Sequence, residues 1–504
     1  MLVGPASRAG HAGVNTQRAR LDRMVRIVRS EWPLLALVAA GAILRIATSV
    51  TYHPAMAFLQ DSFDYLDDAR RLQPGVVRPL GYPLFLRVLS PAGQLQVVPI
   101  VQHLLGLGAG VALYLLLRRL GVRAWLAGLG AAPVLLDGYQ IYLEHFVMAE
   151  TLFTALVVAA VVLLLSSERP GAAACAAAGA ILAGAALTRS IGLLLLPAAL
   201  AFLLARRVGP RRFAAAAGTA LAVMGAYATW FDATHGSAGL QAYSGYFLAG
   251  RVQPFADCDR LRPPPDEQSL CDARPVAERP SADWYVWNPE APLRRLDGAR
   301  VVDRNAVAGR FARRVIRQQP GDYLHVVATD AVQYFSPARR TEHPDFPVAA
   351  WQFRTEFFPD PWRPVEPPPD PYVGGWTSPG PSVSNGVTLA AYDFDLAQAR
   401  PALRGPIAAA LARYQRYGYT AGPVLLVGLL LGVLAGAGRL RDPHQRRLRH
   451  AGALLAVGGA ACLVGAAATS VFDFRYLLPA LVLLPPAGAI GLTLLLERRS
   501  APTA

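Results

Sequence analysis

The chain has 504 residues, 53% hydrophobic and only 16% charged, with a mean hydropathy of +0.31 and a formal net charge of +15. That balance excludes an ordinary soluble enzyme, in which charged residues make up about a quarter of the chain. Nor does the positive charge point to nucleic acid: there is no lysine, and the arginines gather in short loops between apolar runs, where the positive-inside rule expects them.

Residues 1–31 form a basic tail without the small-residue cleavage site of a signal peptide, so Trp32 to Val50 is expected as a retained first helix. A helix needs about 20 apolar residues to cross the hydrocarbon core. Further runs of that kind occur at 97–117, 122–137, 147–166, 171–187, 190–205, 213–231, 420–437, 450–470 and 476–496, with Arg189 splitting one long apolar stretch. The expected fold is an all-α polytopic membrane protein of about ten helices. An N-terminal module over 32–231 is followed by a small extracytoplasmic domain at 232–419, helices in 420–497 and a cytoplasmic tail at 498–504.

With the N-terminus in the cytoplasm, Arg118, Arg119, Arg123, Arg206, Arg207, Arg211, Arg212, Arg439, Arg441, Arg446, Arg447, Arg449, Arg498 and Arg499 fall on one side. The other side receives the loop 51–96, the turn from Asp137 to His145, the turn at Arg189, the segment 232–419 and Asp473 to Arg475.

The first of these outer loops carries DSFDYLDDARRLQPGVVRPLGYPLFL over residues 61–86. On a helix Asp61, Asp64 and Asp68 share a face, so their mutual repulsion calls for an arginine, a metal ion or a cationic substrate group opposite them. Pro74–Gly75 ends that helix, and RPLGYP at 78–83 restricts the turn that follows. Taken alone, the loop fits an interfacial amphipathic helix with a solvated acidic face. Its company argues for an outward polar cleft: Glu144, His145, Glu150, Arg189, Asp473 and Arg475 stand at the same ends of other helices.

The segment 232–419 is rich in Pro, Trp and Tyr, with an amphipathic stretch at about 301–335 that predicts helix and a Pro-rich, loosely ordered part between about 341 and 386. Its aromatics suit either a small core or stacking against an acceptor's sugar rings. Cys258 and Cys271 both lie in it, where a disulfide fits an oxidising compartment. Cys175 and Cys462, inside apolar runs, are expected to pack as small hydrophobes.

Four motifs in order carry a resemblance. They are the loop just quoted, MAETLF at 148–153, LTRSIGLLLLP at 187–197 and FRYLLPALVLLP at 474–485. Together they resemble the polytopic GT-C glycosyltransferases that depend on a lipid carrier, the group including protein O-mannosyltransferases and the lipid A aminoarabinose transferase. The resemblance covers the N-terminal half to about residue 205 and the last helix; nothing in 232–419 contributes. It implies transfer of a sugar from a polyprenyl-phosphate donor to a glycan, lipid or protein acceptor at the extracytoplasmic face of the cell membrane.

In that scheme Asp61, at the family's first-loop acidic position, is the expected base, with Asp64 in reserve. Arg189 and Arg475, with Arg78 as a third, are the expected phosphate grips, and Tyr82, Glu144, His145, Glu150 and Tyr476 complete the substrate-binding set. Many relatives carry an Asp-Glu pair where this chain has Asp61–Ser62. No obligatory metal is expected, although Asp61 with Glu144 or His145 offers a ligand set for Mg²⁺ or Mn²⁺. A lipid-carrier flippase and a noncatalytic envelope assembly protein on the same fold remain as alternatives.

Overall fold

The computed structural model describes residues 30–288, 290–296, 300–339, 348–356, 402–436 and 442–500. In chain order the first helices are α1 (Trp32–Thr51), α2 (Leu59–Arg71), α3 (Gly81–Leu89), α4 (Val97–Arg119), α5 (Ala124–Leu136), α6 (Gly138–Leu143), α7 (Glu150–Leu165), α8 (Ala172–Thr188), α9 (Leu195–Ala205) and α10 (Pro210–His235). A helical lobe follows, built on α11 (Ser244–Val252), α12 (Ala282–Trp287), α13 (Val301–Gln318) and α14 (Pro320–Gln333). The chain returns through α15 (Gly405–Gln415), α16 (Gly422–Gly436), α17 (Pro443–Thr469) and α18 (Leu478–Ser500).

Among the described residues, five helical segments are long and apolar enough to cross a membrane: α1, α4, α10, α17 and Phe474–Arg498. Glu150–Leu165, Ala172–Thr188, Ser190–Ala205 and Gly422–Ala435 are apolar but shorter. Their burial differs with their place in the bundle. The apolar window of the last helix is 94% buried, so it is the hub, whereas that of α10 is only 17% buried and leaves Leu221 exposed on the rim. With no hydrophobic drive between helices in lipid, close packing must hold such a bundle together. Gly428 of α16 and Gly488 of α18 supply it: a Cβ on Gly428 would stand 2.5 Å from the Leu484 carbonyl oxygen, and one on Gly488 2.9 Å from the Cα of Gly428.

The break at Arg189 expected from the sequence is present. After α8 the residue adopts an extended conformation, and a 3-10 turn, Ser190–Leu194, restarts the helix. The 301–335 amphipathic stretch is two helices rather than one, because Pro320 opens α14. Cys258 and Cys271 form a disulfide beside the lobe's core of Tyr246, Leu270, Phe311 and Val315, while Cys175 and Cys462 are free and buried. Of the Pro-rich part at 341–386, only 348–356 falls among the described residues, and there Val348, Ala350, Trp351 and Phe353 are core residues.

The loops separate into two ends. At one, Arg118 pairs with Glu31, Arg447 donates to the Leu165 carbonyl and His444 approaches Glu497. At the other lie α2, the Asp473 turn and the disulfide-bearing lobe, whose Tyr323 and Tyr334 hydroxyls donate to the carbonyls of Ala468 and Asp473.

Candidate functional site

Local rules place the acidic loop. Ser62, fully buried, accepts a hydrogen bond from the Phe58 backbone N–H at 2.9 Å and donates to the Val147 carbonyl at 3.0 Å. It therefore pins the start of α2 to the strand-like segment before α7. Met56 and Val147 join the same seam through backbone hydrogen bonds. Ser62 is thus a core fastener, turned away from Asp61. Asp61 opens α2 and Arg70 and Arg71 close it, in keeping with the helix dipole, and Leu72 ends it with φ 49°.

RPLGYP then delivers α3 against the end of α8. A Cβ on Gly81 would lie 2.6 Å from the Leu187 carbonyl oxygen, so only glycine permits this approach two residues before Arg189. The turn carries Arg78 over α2. Arg78 donates to Asp61 at 2.6 Å, lies 3.6 Å from Asp64 and covers the Tyr65 ring at 5.5 Å.

Chain-distant groups complete the cluster. Arg475 donates to the second oxygen of Asp61 at 3.2 Å and stands 4.0 Å from Glu150. Arg189 donates to the same Glu150 oxygen. The ring of Tyr476 lies under both guanidinium groups, at 5.3 Å from Arg189 and 5.1 Å from Arg475. Asp473 holds Arg475 from behind, accepting its backbone N–H at 2.9 Å and pairing with its Nε at 2.8 Å. Asp61, Asp64, Arg78, Glu150, Arg189, Arg475 and Tyr476 therefore share one cluster. Its Asp61 and Arg78 side chains keep 14% and 18% exposure, and Arg189 19%. One buried oxygen of Glu150 has no hydrogen-bond partner among the described residues.

Tyr82, Glu144 and His145 lie outside this cluster. Tyr82 is fully buried and donates to Gln102, whose amide donates to the carbonyls of Glu144 and Phe146; it braces the seam behind α2. Glu144 receives two hydrogen bonds from Arg45, both 2.8 Å, and meets His103 Nδ1 at 2.9 Å. The other nitrogen of His103 faces His145 Nδ1 at 3.2 Å, and His145 Nε2 donates to the Tyr52 carbonyl. All four of these side chains are buried. Helix α6 and the turn after it carry Glu144 and His145 inward, to meet Arg45 and His103 in the apolar helices α1 and α4.

Sequence reasoning also missed contributors. Trp351, from the long segment before α15, donates its indole N–H to Asp473 at 2.8 Å and stacks on Phe58 with centroids 4.6 Å apart. The only available signal was the unusual density of aromatics in that segment. Asp68 sits on the cluster's margin. Burial, then the neighbouring carboxylates of Asp64 and Asp67, push its carboxyl up to about 7.

The chemistry of the donor set is that of an anion site. Three arginines converge on the carboxylates of Asp61, Asp64 and Glu150, and guanidinium forks suit phosphate oxygens as well as carboxylates. Among the described residues no group of three or more His, Cys, Asp or Glu side chains is spaced to hold a metal ion. Below Arg189, past the Ser190–Leu194 turn, two adjoining apolar crevices run between α7, α8, α9, α10 and α17, lined by residues including Val161, Leu182, Leu195, Ala199 and Leu454.

No protein-family description matches the chain, and no curated protein does. Two solved structures are similar in shape. One is the archaeal oligosaccharyltransferase AglB from Archaeoglobus fulgidus, in complex with an inhibitory peptide and a dolichol-phosphate. The match has a TM-score of 0.39 at 11% identity, over 94% of this chain and 51% of that one. The other is ArnT from Cupriavidus metallidurans bound to undecaprenyl phosphate, with a TM-score of 0.34 at 12% identity, over 92% of this chain and 78% of that one. The chain thus spans about half the length of the oligosaccharyltransferase. At these scores neither likeness transfers a residue role, and the functional reading rests on the motifs and on the cluster itself.

Proposed function

We propose that this is a membrane glycosyltransferase that takes a sugar from a polyprenyl-phosphate donor and passes it to an acceptor hydroxyl at the Asp61 end of the bundle, the extracytoplasmic side. The observation that carries the reading is Asp61 clamped between Arg78 and Arg475 beside the Arg189–Glu150 pair. Such a cluster has the parts of phosphate-leaving sugar transfer: fixed cations for the departing phosphate and a carboxylate to take the acceptor's proton.

The solved structures named above hold lipid phosphates of the same class, but it is the geometry that supports the assignment. The sided charge supports the orientation, with arginine loops in the cytoplasm and the disulfide in the oxidising compartment. The ten-helix membrane bundle, counting the short helices as spans, belongs to the same proposal.

Both Asp61 oxygens are occupied by guanidinium groups in the structure, which supports the following order of events. Arriving donor phosphate replaces Asp61 and Glu150 as the partner of Arg475 and Arg189. Asp61 then has an oxygen available for the acceptor hydroxyl. As the acceptor oxygen attacks the anomeric carbon, its proton passes to Asp61 and the C–O bond to the carrier breaks, leaving polyprenyl phosphate against the arginines.

The test is transfer by purified protein in lipid nanodiscs, supplied with polyprenyl-phosphate mannose or arabinofuranose and a panel of glycan acceptors. Sugar release or transfer that Asp61→Asn abolishes is expected. No release from any donor, or a rate indifferent to Asp61→Asn, overturns the reading; carrier scrambling in proteoliposomes independent of Asp61 favours a flippase.

A further inference from the structure

We infer that Trp351 is a positioning residue for Arg475, acting through Asp473, so that it sets the grip of the donor-phosphate site. The inference rests on the proposed function for its consequence but on geometry for its substance.

Asp473 is fully buried and holds one face of Arg475 through its backbone N–H and Nε contacts. A carboxylate in that position is free to rotate unless its other oxygen lobes are engaged. The indole N–H of Trp351 engages Oδ1 at 2.8 Å, the same oxygen that accepts the Arg475 backbone N–H. Oδ2 faces the guanidinium Nε at 2.8 Å as an ion pair, without a hydrogen bond between the two atoms. With Nε turned toward Asp473, Nη1 points at Asp61 and Glu150 and Nη2 donates to the Tyr476 hydroxyl at 3.3 Å.

Trp351 is itself fixed. Its exposure is 1%, its carbonyl accepts from the Gln415 amide at 3.0 Å, and the Phe353 N–H donates back to the Gln415 side chain at 2.8 Å. Phe58, one residue before α2, completes the arrangement by lying against both Trp351 and the Arg475 guanidinium, the latter at 4.9 Å from its ring centre. A tryptophan on the apolar side of the cluster with no polar duty would need no aligned N–H donor. Here the N–H meets the one carboxylate that aims the arginine, and a charge-assisted hydrogen bond of this kind is among the stronger side-chain interactions.

Trp351→Phe keeps a ring against Phe58 and removes only the donor. Two readouts separate the inference from the reading it rests on. The first is phenylglyoxal modification of the full-length protein in nanodiscs, followed at the Arg475 peptide by mass spectrometry. Trp351→Phe is expected to speed labelling of Arg475 severalfold while that of Arg118, at the other end of the bundle, stays unchanged. The second is binding of undecaprenyl phosphate. Trp351→Phe is expected to weaken it about ten-fold, ~1.4 kcal/mol, at a melting temperature close to wild type, and to add nothing in an Arg475→Ala background. Unchanged labelling of Arg475, or weakening fully additive with Arg475→Ala, overturns the positioning role. If Arg475→Ala alone binds undecaprenyl phosphate like wild type, the donor-site reading fails, and the labelling result still decides whether Trp351 aims Arg475.

Discussion

Two polar clusters in this molecule are built from the same materials and do opposite things. Around Glu144, an arginine and two histidines form a closed network in which both carboxylate oxygens are taken by protein donors and the Arg45 and Glu144 side chains are 2% and 0% exposed. Around Asp61, three arginines share the carboxylates; Asp61, Arg78 and Arg189 keep 14–19% exposure, while Arg475 and Glu150 are buried. A sealed cluster fastens helices, here α1 and α4 to the turn after α6. A partly open one has arginines whose partners an incoming anion can replace. Composition does not distinguish them; the exposure that Asp61, Arg78 and Arg189 keep does.

The largest expected effect breaks the closed cluster. Glu144→Ala leaves Arg45 buried without its counter-charge, at a cost of roughly 3–5 kcal/mol, so thermal melts in detergent should show collapse of the folded fraction. If Glu144→Ala folded normally and lost only donor binding, the two clusters would not differ as described. Arg475→Lys addresses the open cluster. It keeps the charge but loses the two-pronged grip, and turnover is expected to fall by about 10- to 100-fold, on the order of 1.4–2.7 kcal/mol of transition-state stabilisation, with the melting temperature nearly unchanged.

A smaller effect lies at the margin. The Asp68 carboxyl is raised to about 7 by burial and by Asp64 and Asp67, against about 3.9 in an unfolded chain. Below that lower value both states are protonated and stability is full. As pH rises from about 4 to about 7 the unfolded chain ionises first, and the folded state loses stability until Asp68 itself ionises. Asp68→Asn is therefore expected to raise the melting temperature by about 2–4 °C at pH 8 and leave it unchanged at pH 3, as read by melts across that range. An equal gain at both pH values would mean that the carboxyl is not the cause.

Much of this was legible in the residues themselves. Apolar runs, the break at Arg189 and the amphipathic stretch after 301 follow from local pattern, and the acids and arginines of the three helix-end motifs converge as their sidedness suggested. What pattern could not do was sort helix-end charges by partner. Glu144 and Glu150 are six residues apart, yet one answers Arg45 and the other Arg189. A signal was present in Arg45 and His103, charges inside apolar runs that must find partners there, and it pointed to Glu144. Trp351 had no such signal, because its role depends on a contact with Asp473 across 122 positions of sequence.

The central claim is that donor phosphate displaces Asp61 from the arginines, so that one carboxylate both competes with the donor and serves the acceptor. The direct measurement is the dissociation constant of undecaprenyl phosphate for Asp61→Asn and wild type in nanodiscs, taken beside sugar transfer by the same preparations. The account predicts that Asp61→Asn binds the lipid phosphate severalfold more tightly while transferring no sugar. Weaker binding by Asp61→Asn, or transfer that survives it, would contradict the account.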